Sequence, residues 1–403
     1  MWEAIQRNRR RSVLVVTILA IVLIAVGIAL GVLMTGREDG MLLGGIAAFG
    51  LWVVLWITMR SRGDDILLRM AHAREIQKRD HPQLVNVVEE MSIAAALPSP
   101  PRIFVVDDPA PNAFAVGRRP EKAAVAVTIG LLTLLDRDEL QGVVAHEIGH
   151  IKNRDVALMT TAGIMVGAIV LLVEIGLRVL WWGGGARSSR DSSGGGGGAQ
   201  AIMMIVGLVF LLLAPLLAQL IYFALSRRRE YLADASGAMF TRWPEGLASA
   251  LEKLGKAPPL VQADKSRVTA PMYIVRPIRE GEKRALSSTF ATHPPLAKRI
   301  AVLRAMGGGA DYRAYDQAYG KVTGRHVVGQ RTLALTPKVE AEPPTEAGPA
   351  LGPTQRLRHA SNAYLAASGY ETKTCPSCGA VVKIPPMLRD RLDHCPRCGA
   401  SWV

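Results

Sequence analysis

The chain has 403 residues, of which 49% are hydrophobic and only 5% aromatic, and its formal net charge is +14. This length allows two or three ordinary domains. The basic residues cluster beside apolar segments, a pattern that indicates contact with anionic lipid at an inner membrane surface and argues against a nucleic-acid-binding protein.

Four apolar segments predict four transmembrane helices. The first two have no charged residue, and about 20 apolar residues are enough for a helix to cross the hydrocarbon core. The first segment is longer than the apolar core of a signal peptide and a second follows at once, so we interpret it as a retained anchor. The four predicted spans, grouped into hairpins over 1–62 and 156–225, cover about 12–34 and 41–59, and about 156–182 and 199–225.

The distribution of Lys and Arg near the span ends predicts the orientation. Eleven such residues lie on the side that contains both termini, whereas only Arg37, Arg187 and Arg190 lie on the other. We therefore expect a multi-pass membrane protein with both termini and the histidine motif in the cytoplasm.

The segment 63–155 is predicted to be the first part of a cytoplasmic domain. It contains short strands and then a helix with the motif "AHEIGH". His146 and His150 are four residues apart, so both imidazoles project from one face of the helix and can bind one metal ion. Glu147 lies beside them, within reach of a water molecule at that metal. Paired histidines on a helix surface are also common without a metal.

The segment 226–335 is predicted to complete the domain. Glu230 is the best candidate for a third metal ligand, because the membrane hairpin before it returns the chain to the face that it left after His150. Asp234, one helical turn later, can accept the free N–H of a ligand histidine. In the alternative interpretation, both carboxylates pair with the neighbouring arginines.

Four motifs, "AHEIGHIKNRD", "SRRREYLADAS", "NAFAVG" and "THPPLAKRI", resemble those of the HtpX-type membrane-bound zinc metalloproteases, relatives of the CAAX prenyl endopeptidases. The resemblance covers roughly residues 1–305. It implies a gluzincin-type fold in which His146, His150 and Glu230 bind the catalytic zinc, Glu147 is the general base and Asp234 supports a ligand. It also implies that His293 and Arg299 contact the substrate carbonyl or its oxyanion, and that the edge strand at Asn112 and Ala113 binds the substrate.

The C-terminal part is predicted to be a flexible linker over 336–365, rich in Pro, Glu, Ala and Gly, and a small module over 366–403. The module contains two CxxC turns with sixteen residues between them. This spacing is typical of a zinc ribbon, in which four thiolates hold one structural zinc ion. Recruitment of substrates and control of access are both open hypotheses for its role. The four cysteines are Cys375, Cys378, Cys395 and Cys398.

The sequence thus predicts a mainly α integral membrane protein with four transmembrane helices, a helical metalloprotease domain with a small β-sheet, and a C-terminal zinc ribbon. The resemblance implies zinc-dependent hydrolysis of membrane or misfolded proteins at the cytoplasmic face of a bacterial plasma membrane, in quality control or a stress response. A dedicated processing protease of the CAAX type and a catalytically silent zinc-binding scaffold stay open as alternatives. The expected cofactors are one catalytic and one structural zinc ion, and the expected partners are protein substrates, membrane lipid and a protein bound by the ribbon, but no nucleic acid.

Overall fold

The computed structural model describes residues 2–35, 39–117, 119–182, 197–257, 294–343, 351–389 and 392–402. Most of these residues are helical and the strands are short, which confirms the predicted class. The helices are α1 Trp2–Thr35, α2 Asp39–Met70, α3 Pro82–Ala94, α4 Ile129–Leu134, α5 Arg137–Asn153, α6 Val156–Trp182, α7 Gly197–Thr241, α8 Pro244–Lys256, α9 Leu296–Arg304, α10 Tyr312–Thr323, α11 Gln330–Leu335 and α12 Pro353–Ala367. The strands are β1 Arg74–Glu75, β2 Arg102–Val106, β3 Ala113–Val116, β4 Ala124–Thr128, β5 Glu371–Thr374 and β6 Val381–Ile384.

The helices α1, α2, α6 and α7 pack into an apolar bundle. Within the described residues, three stretches are long and apolar enough to cross a membrane, namely Val13–Thr35, Asp39–Thr58 and Met204–Ile221. They agree with three of the four predicted spans. The fourth, α6, packs against α1 and α7 through residues that include Ile169, but it is not one of these stretches. That α6 crosses the membrane therefore stays a proposal.

A four-stranded sheet in the order β1-β2-β4-β3 lies between the bundle and the remaining helices. The strands β2 and β4 are parallel, with Ile103 opposite Val125, and β3 is antiparallel to β4. One face of the sheet belongs to the main core with α3 and α5. The other face contacts Leu67 and Leu68 near the end of α2. Because both faces are covered, the strands are apolar at nearly every position.

The helix α7 connects the bundle to the main core. It is 45 residues long and contains Pro215 in its apolar part. Its last turns carry Tyr231, Ala235 and Ala238 into the main core. The residues that come after the membrane segment are therefore held by a continuous helix.

The structure corrects the predicted flexible linker over 336–365 in the region that is described. Pro353–Ala367 is the helix α12, and the buried side chains of Ala360 and Ala363 belong to the main core. Arg356 Nε donates a hydrogen bond to the Thr133 carbonyl of α4 at 2.9 Å. The composition suggested that little could be buried, but two alanines three residues apart are enough to form a narrow packing face on a helix.

Candidate metal centres

The histidine motif lies in the middle of α5. The helix begins at a capping box in which Asp136 and Glu139 each accept a backbone N–H of the first turn. This cap satisfies donors that a helix start would otherwise leave unpaired. His146 and Glu147 are only 1% and 3% exposed, so this face of α5 points into the protein.

Close contact between α5 and α7 brings the third residue of the cluster to the histidines. Gly149 makes this possible, because a Cβ at this position would lie 3.1 Å from Ser236 Cβ and 3.2 Å from the Ala233 carbonyl oxygen. Glu230 is one turn before Ala233 on α7 and is 1% exposed. Its Oε1 lies 3.5 Å from His150 Nε2, and its Oε2 lies 3.7 Å from His146 Nε2.

The positions of these three side chains fit a single metal ion. The Nε2 atoms of His146 and His150 face each other at 3.2 Å, and two nitrogens bound to one tetrahedral zinc at about 2.0–2.1 Å lie roughly 3.3 Å apart. One ligand atom from each of the three residues falls within 4.8 Å of the others. Two imidazoles and one carboxylate leave the fourth position of a tetrahedral ion open, which is the arrangement of a catalytic site.

Buried carboxylates hold both imidazoles in the orientation that metal binding needs. His146 Nδ1 lies 3.0 Å from Asp234 Oδ1, and His150 Nδ1 lies 3.1 Å from Asp155 Oδ1. Each Nδ1–H can therefore donate to a carboxylate while Nε2 keeps its lone pair for a metal. Burial opposes protonation of His150, but Asp155 and Glu230 outweigh it and raise the pKa of His150 to about 10. The same negative charges stabilise a bound cation.

Arg299 is placed differently from a residue that contacts a substrate. Its guanidinium is fully buried and donates to both oxygens of Asp234, at 2.8 and 2.6 Å. Its Nη1 lies 3.4 Å from Glu230 Oε2. This geometry favours a role in holding Asp234 and Glu230 over the predicted contact with the substrate carbonyl. The other residue predicted to make that contact, His293, lies outside the described residues.

The predicted substrate strand is the edge strand β3, which contacts α5. Asn112 Oδ1 accepts the backbone N–H of Ala113 at 2.9 Å, while the backbone N–H of Asn112 donates to the Thr128 hydroxyl. A substrate strand would have to displace the Asn112 side chain from this N–H. The role of Asn112 and Ala113 in substrate binding stays a prediction.

The four cysteines form a second cluster. Cys375 Sγ lies 3.7 Å from Cys398 Sγ, and Cys378 Sγ lies 3.8 Å from Cys395 Sγ. These distances exclude disulfides, whose sulfurs are about 2.05 Å apart, and match the roughly 3.8 Å between thiolates on a tetrahedral zinc. Backbone N–H groups of the first turn lower the pKa of the Cys375 thiol to about 6, which favours the thiolate that a metal needs. The cluster resembles a zinc ribbon.

Two buried residues, one just after α5 and one at the start of α3, are not identified from the sequence. Asp155 comes after α5 and Arg154, whose φ of 56° turns the chain back towards His150. This left-handed residue, and not a helical spacing, brings Asp155 to the histidine. No motif marks His81, which is 6% exposed and whose Nδ1 accepts the Leu84 N–H at the start of α3.

Comparison with known proteins gives matches over the same region. A family model described as Peptidase family M48 matches residues 78–307. The chain is 45% identical over 307 residues to a protein named Protease HtpX homolog from Dictyoglomus thermophilum, which covers 76% of this chain and 95% of that protein. It is 40% identical over 306 residues to the protein of the same name from Lactobacillus helveticus, covering 76% of this chain and all of that protein.

A solved structure also matches at lower similarity. The crystal structure of S. mikatae Ste24p aligns with a TM-score of 0.35 and 22% identity, over 62% of this chain. The alignment spans 55% of the length of that protein.

Proposed function

Because this chain belongs to peptidase family M48 and is a membrane metalloprotease of that family, we propose that it is a zinc-dependent endopeptidase. In this proposal it hydrolyses membrane or misfolded proteins at the cytoplasmic face of a bacterial plasma membrane. The observation that carries the proposal is the cluster of His146, His150 and Glu230, in which each imidazole has its Nδ1 held by a buried carboxylate.

The proposed reaction adds water across a peptide bond. Zinc, when bound by the three ligands, supplies a Lewis acid that makes water more acidic and polarises a carbonyl oxygen. Glu147, the neighbour of His146 on α5, accepts a proton from the attacking water. It then delivers this proton to the leaving nitrogen as the C–N bond breaks, so that a new acid and a new amine form.

The remaining residues keep this arrangement in place. Asp234 and Asp155 fix the two imidazoles, and Arg299 neutralises Asp234 and Glu230 inside the protein. His293 is proposed to stabilise the oxyanion. With the ligands fixed before the substrate arrives, the site needs little rearrangement during the reaction.

The position of the site supports substrates at the membrane. Glu230 lies on α7, nine residues after Ile221, where the candidate span Met204–Ile221 ends. At about 1.5 Å per helical residue, this places the cluster roughly 14 Å along the helix from the end of the span. Loops of membrane proteins and misfolded chains at the surface can reach such a site. A role in membrane protein quality control or a stress response is part of the proposal.

The cysteine cluster is proposed to hold a structural zinc ion, because four thiolates leave no position open for a substrate. A module of this size has little core, so its folding should depend on the metal. We assign it the binding of a protein partner, either a substrate or a regulator of access.

The first test is hydrolysis of an unfolded model protein by the full chain in detergent, with metal content measured in parallel. Wild type should cleave and carry about two zinc ions, one in each cluster. Glu147→Gln should keep both zinc ions, and its rate of hydrolysis should fall by a factor of at least about a hundred, as expected for a missing general base. Glu89→Gln, which removes a carboxylate on the surface of α3, is the matched control and should behave as wild type.

The same experiment separates the alternatives. Equal hydrolysis by wild type and Glu147→Gln would reject the proposed mechanism. If wild type carries both zinc ions but does not cleave, the catalytically silent zinc-binding scaffold would be favoured. Cleavage limited to a peptide with a prenylated C-terminus would favour the dedicated processing protease.

A further inference from the structure

A basic cavity is lined by none of the residues of either metal cluster. It has a volume of about 430 Å³ and is lined by Arg119, Glu121, Lys122 and Arg154. Three of these come from the connection between β3 and β4, which includes the short turn Pro120–Lys122. The fourth is the residue that ends α5. Three cations against one carboxylate give the cavity a net positive charge, and its volume falls within the range of about 300–1,000 Å³ that is common for ligand sites.

The three cations of this cavity are available to a ligand. In the described part of the chain, the side chains of Arg119, Lys122 and Arg154 form neither an ion pair nor a hydrogen bond, and all three are exposed. By contrast, the exposed Arg304 of the same domain is paired with Glu245 and Glu252. Exposed cations that converge on a cavity in this way are suited to bind an anion from outside.

The cavity adjoins the membrane-spanning part of the molecule. Arg154 is separated from the first residue of α6 only by Asp155. The strand that leads to Arg119 ends at Val116, which belongs to a cluster that also contains Leu67 of α2 and contacts Ile164 of α6. The cavity therefore lies where the sheet meets two apolar helices. A ligand with an anionic head and apolar tails would meet complementary surfaces there.

We propose that this cavity binds the phosphate of an anionic phospholipid headgroup. Arginine and lysine are the side chains that bind phosphate, arginine often through two hydrogen bonds. A bound headgroup would hold the end of α5, and with it the histidine motif, at the level of the membrane surface. The proposal goes beyond peptide hydrolysis, because it assigns a lipid to residues that do not take part in the reaction.

The test measures binding of short-chain phosphatidylglycerol to the full chain in neutral detergent, with phosphatidylcholine and inorganic phosphate as comparison ligands. The combined variant Arg119→Gln, Lys122→Gln, Arg154→Asn removes the three cations, and asparagine is chosen at 154 because it tolerates a positive φ. At about fivefold per cation, this variant should bind phosphatidylglycerol roughly a hundredfold more weakly. Glu121→Gln should bind it more tightly than wild type.

The control removes three exposed cations elsewhere, through Arg79→Gln, Arg325→Gln and Lys338→Gln, and should leave binding unchanged. Thermal unfolding in the same detergent verifies that each variant is folded. If the triple variant does not fold, the tighter binding of Glu121→Gln, together with the three single variants, tests the same site. Binding of the triple variant within twofold of wild type would overturn the proposal. So would inorganic phosphate that competes as well as the lipid, because the site would then serve a soluble phosphate.

Discussion

The guanidinium of Arg299 neutralises two carboxylates that the metal cluster needs in fixed positions. Asp234 and Glu230 are both almost fully buried, and burial of a carboxylate without a partner is costly. Burial tends to raise the pKa of Asp234, but Arg299 and His146 outweigh this and lower it, so the group stays ionised. The arginine thus acts on the imidazole of His146 through Asp234.

Arg299→Gln should therefore destabilise the protein and weaken metal binding. Breaking a buried ion pair on one side costs about 3–5 kcal/mol, and we expect a lower unfolding temperature and a lower zinc content. Activity per bound zinc should change little. The control Arg304→Gln removes an exposed arginine of α9, and its zinc content should match wild type. A variant that keeps its zinc but loses turnover would instead support a direct contact with the substrate oxyanion.

His81 should make the stability of the soluble part depend on pH. Burial, followed by the nearby His359, lowers the pKa of His81 below the usual 6.5. Its Nδ1 accepts the Leu84 N–H, and protonation of Nδ1 would remove this cap. The pKa of His81 is therefore lower in the folded than in the unfolded protein. The stability that neutral His81 contributes is present above about pH 6.5 and is lost as the pH falls through the folded pKa. His81→Asn keeps an N-cap that does not titrate.

We expect the unfolding temperature to fall less between pH 7 and pH 5 for His81→Asn than for wild type. The other histidines are common to both proteins, so the difference isolates His81. His72→Asn is the control, because His72 is exposed and has a φ of 51° that asparagine accepts. If wild type and His81→Asn lose stability equally, the histidine cap has no role in the pH dependence.

For single residues, helical spacing and the resemblance predict the three side chains that the structure brings together in the candidate metal cluster. That they bind zinc stays a prediction. His146 and His150 share a face because they are four residues apart, and a hairpin returns Glu230 to them. Asp155 could not be found in this way, since its approach depends on the positive φ of one arginine. The burial of Arg299 also depends on packing between α7 and α9, which no local pattern encodes.

The helix α12 is the element that connects the protease domain with the cysteine module. It contacts α4, β1 and β2, and α4 leads directly into the capping box of α5. The module begins at β5, within four residues of the end of α12. The module is therefore attached to the protease domain through a packed helix. A flexible linker of the same length would allow a wider range of distances between the module and the metal cluster.

Truncations should separate the helix from the module. A chain that ends at residue 343 loses α12, which contacts α4, and exposes the part of the main core to which Ala360 and Ala363 belong. At roughly 0.8 kcal/mol for each buried methyl-sized group, together with the lost hydrogen bond of Arg356, we expect a loss of about 2–3 kcal/mol. The measurement is the thermal unfolding of each truncated protein in the same detergent.

A chain that ends at residue 368 is the matched control, because it keeps α12 and removes only the module. It should unfold near the temperature of the full chain and hydrolyse an unfolded protein at a similar rate. Equal unfolding temperatures for the chains ending at 343 and 368 would mean that α12 adds no stability to the protease domain.

Composition predicts strands and large apolar helices better than it predicts the alanine-lined helix within residues 336–365. The strands β2, β3 and β4 and the helix α5 have apolar patterns strong enough to be identified from sequence. The high Pro and Glu content of residues 336–365 predicts a flexible linker, yet a helix whose buried residues are alanines needs no large apolar residue. A face of small residues is a weak signal in sequence, because alanine is also common in exposed helices.

For the whole molecule, the metal cluster constrains the number of membrane crossings. His150 precedes α6 and Glu230 comes after the span in α7, but their side chains are 3.5 Å apart. The chain must therefore cross the membrane an even number of times between them. If the candidate span in α7 crosses the membrane, the proposal requires α6 to cross as well. This supports the proposal of four spans, with the 27-residue apolar helix α6 as the fourth.

Cysteine labelling tests this topology together with the predicted orientation. The four native cysteines all lie beyond residue 370, so a chain that ends at 368 contains none and can carry one reporter at a time. Ser192→Cys lies between α6 and α7 in the sequence, and Thr354→Cys lies in the exposed first turn of α12.

With four spans and cytoplasmic termini, an impermeant maleimide added to intact spheroplasts should label Ser192→Cys, and should label Thr354→Cys only after lysis. The reverse pattern would place the metal cluster outside the cell. Equal protection of both sites would mean that neither α6 nor α7 crosses, and would reject the four-span topology.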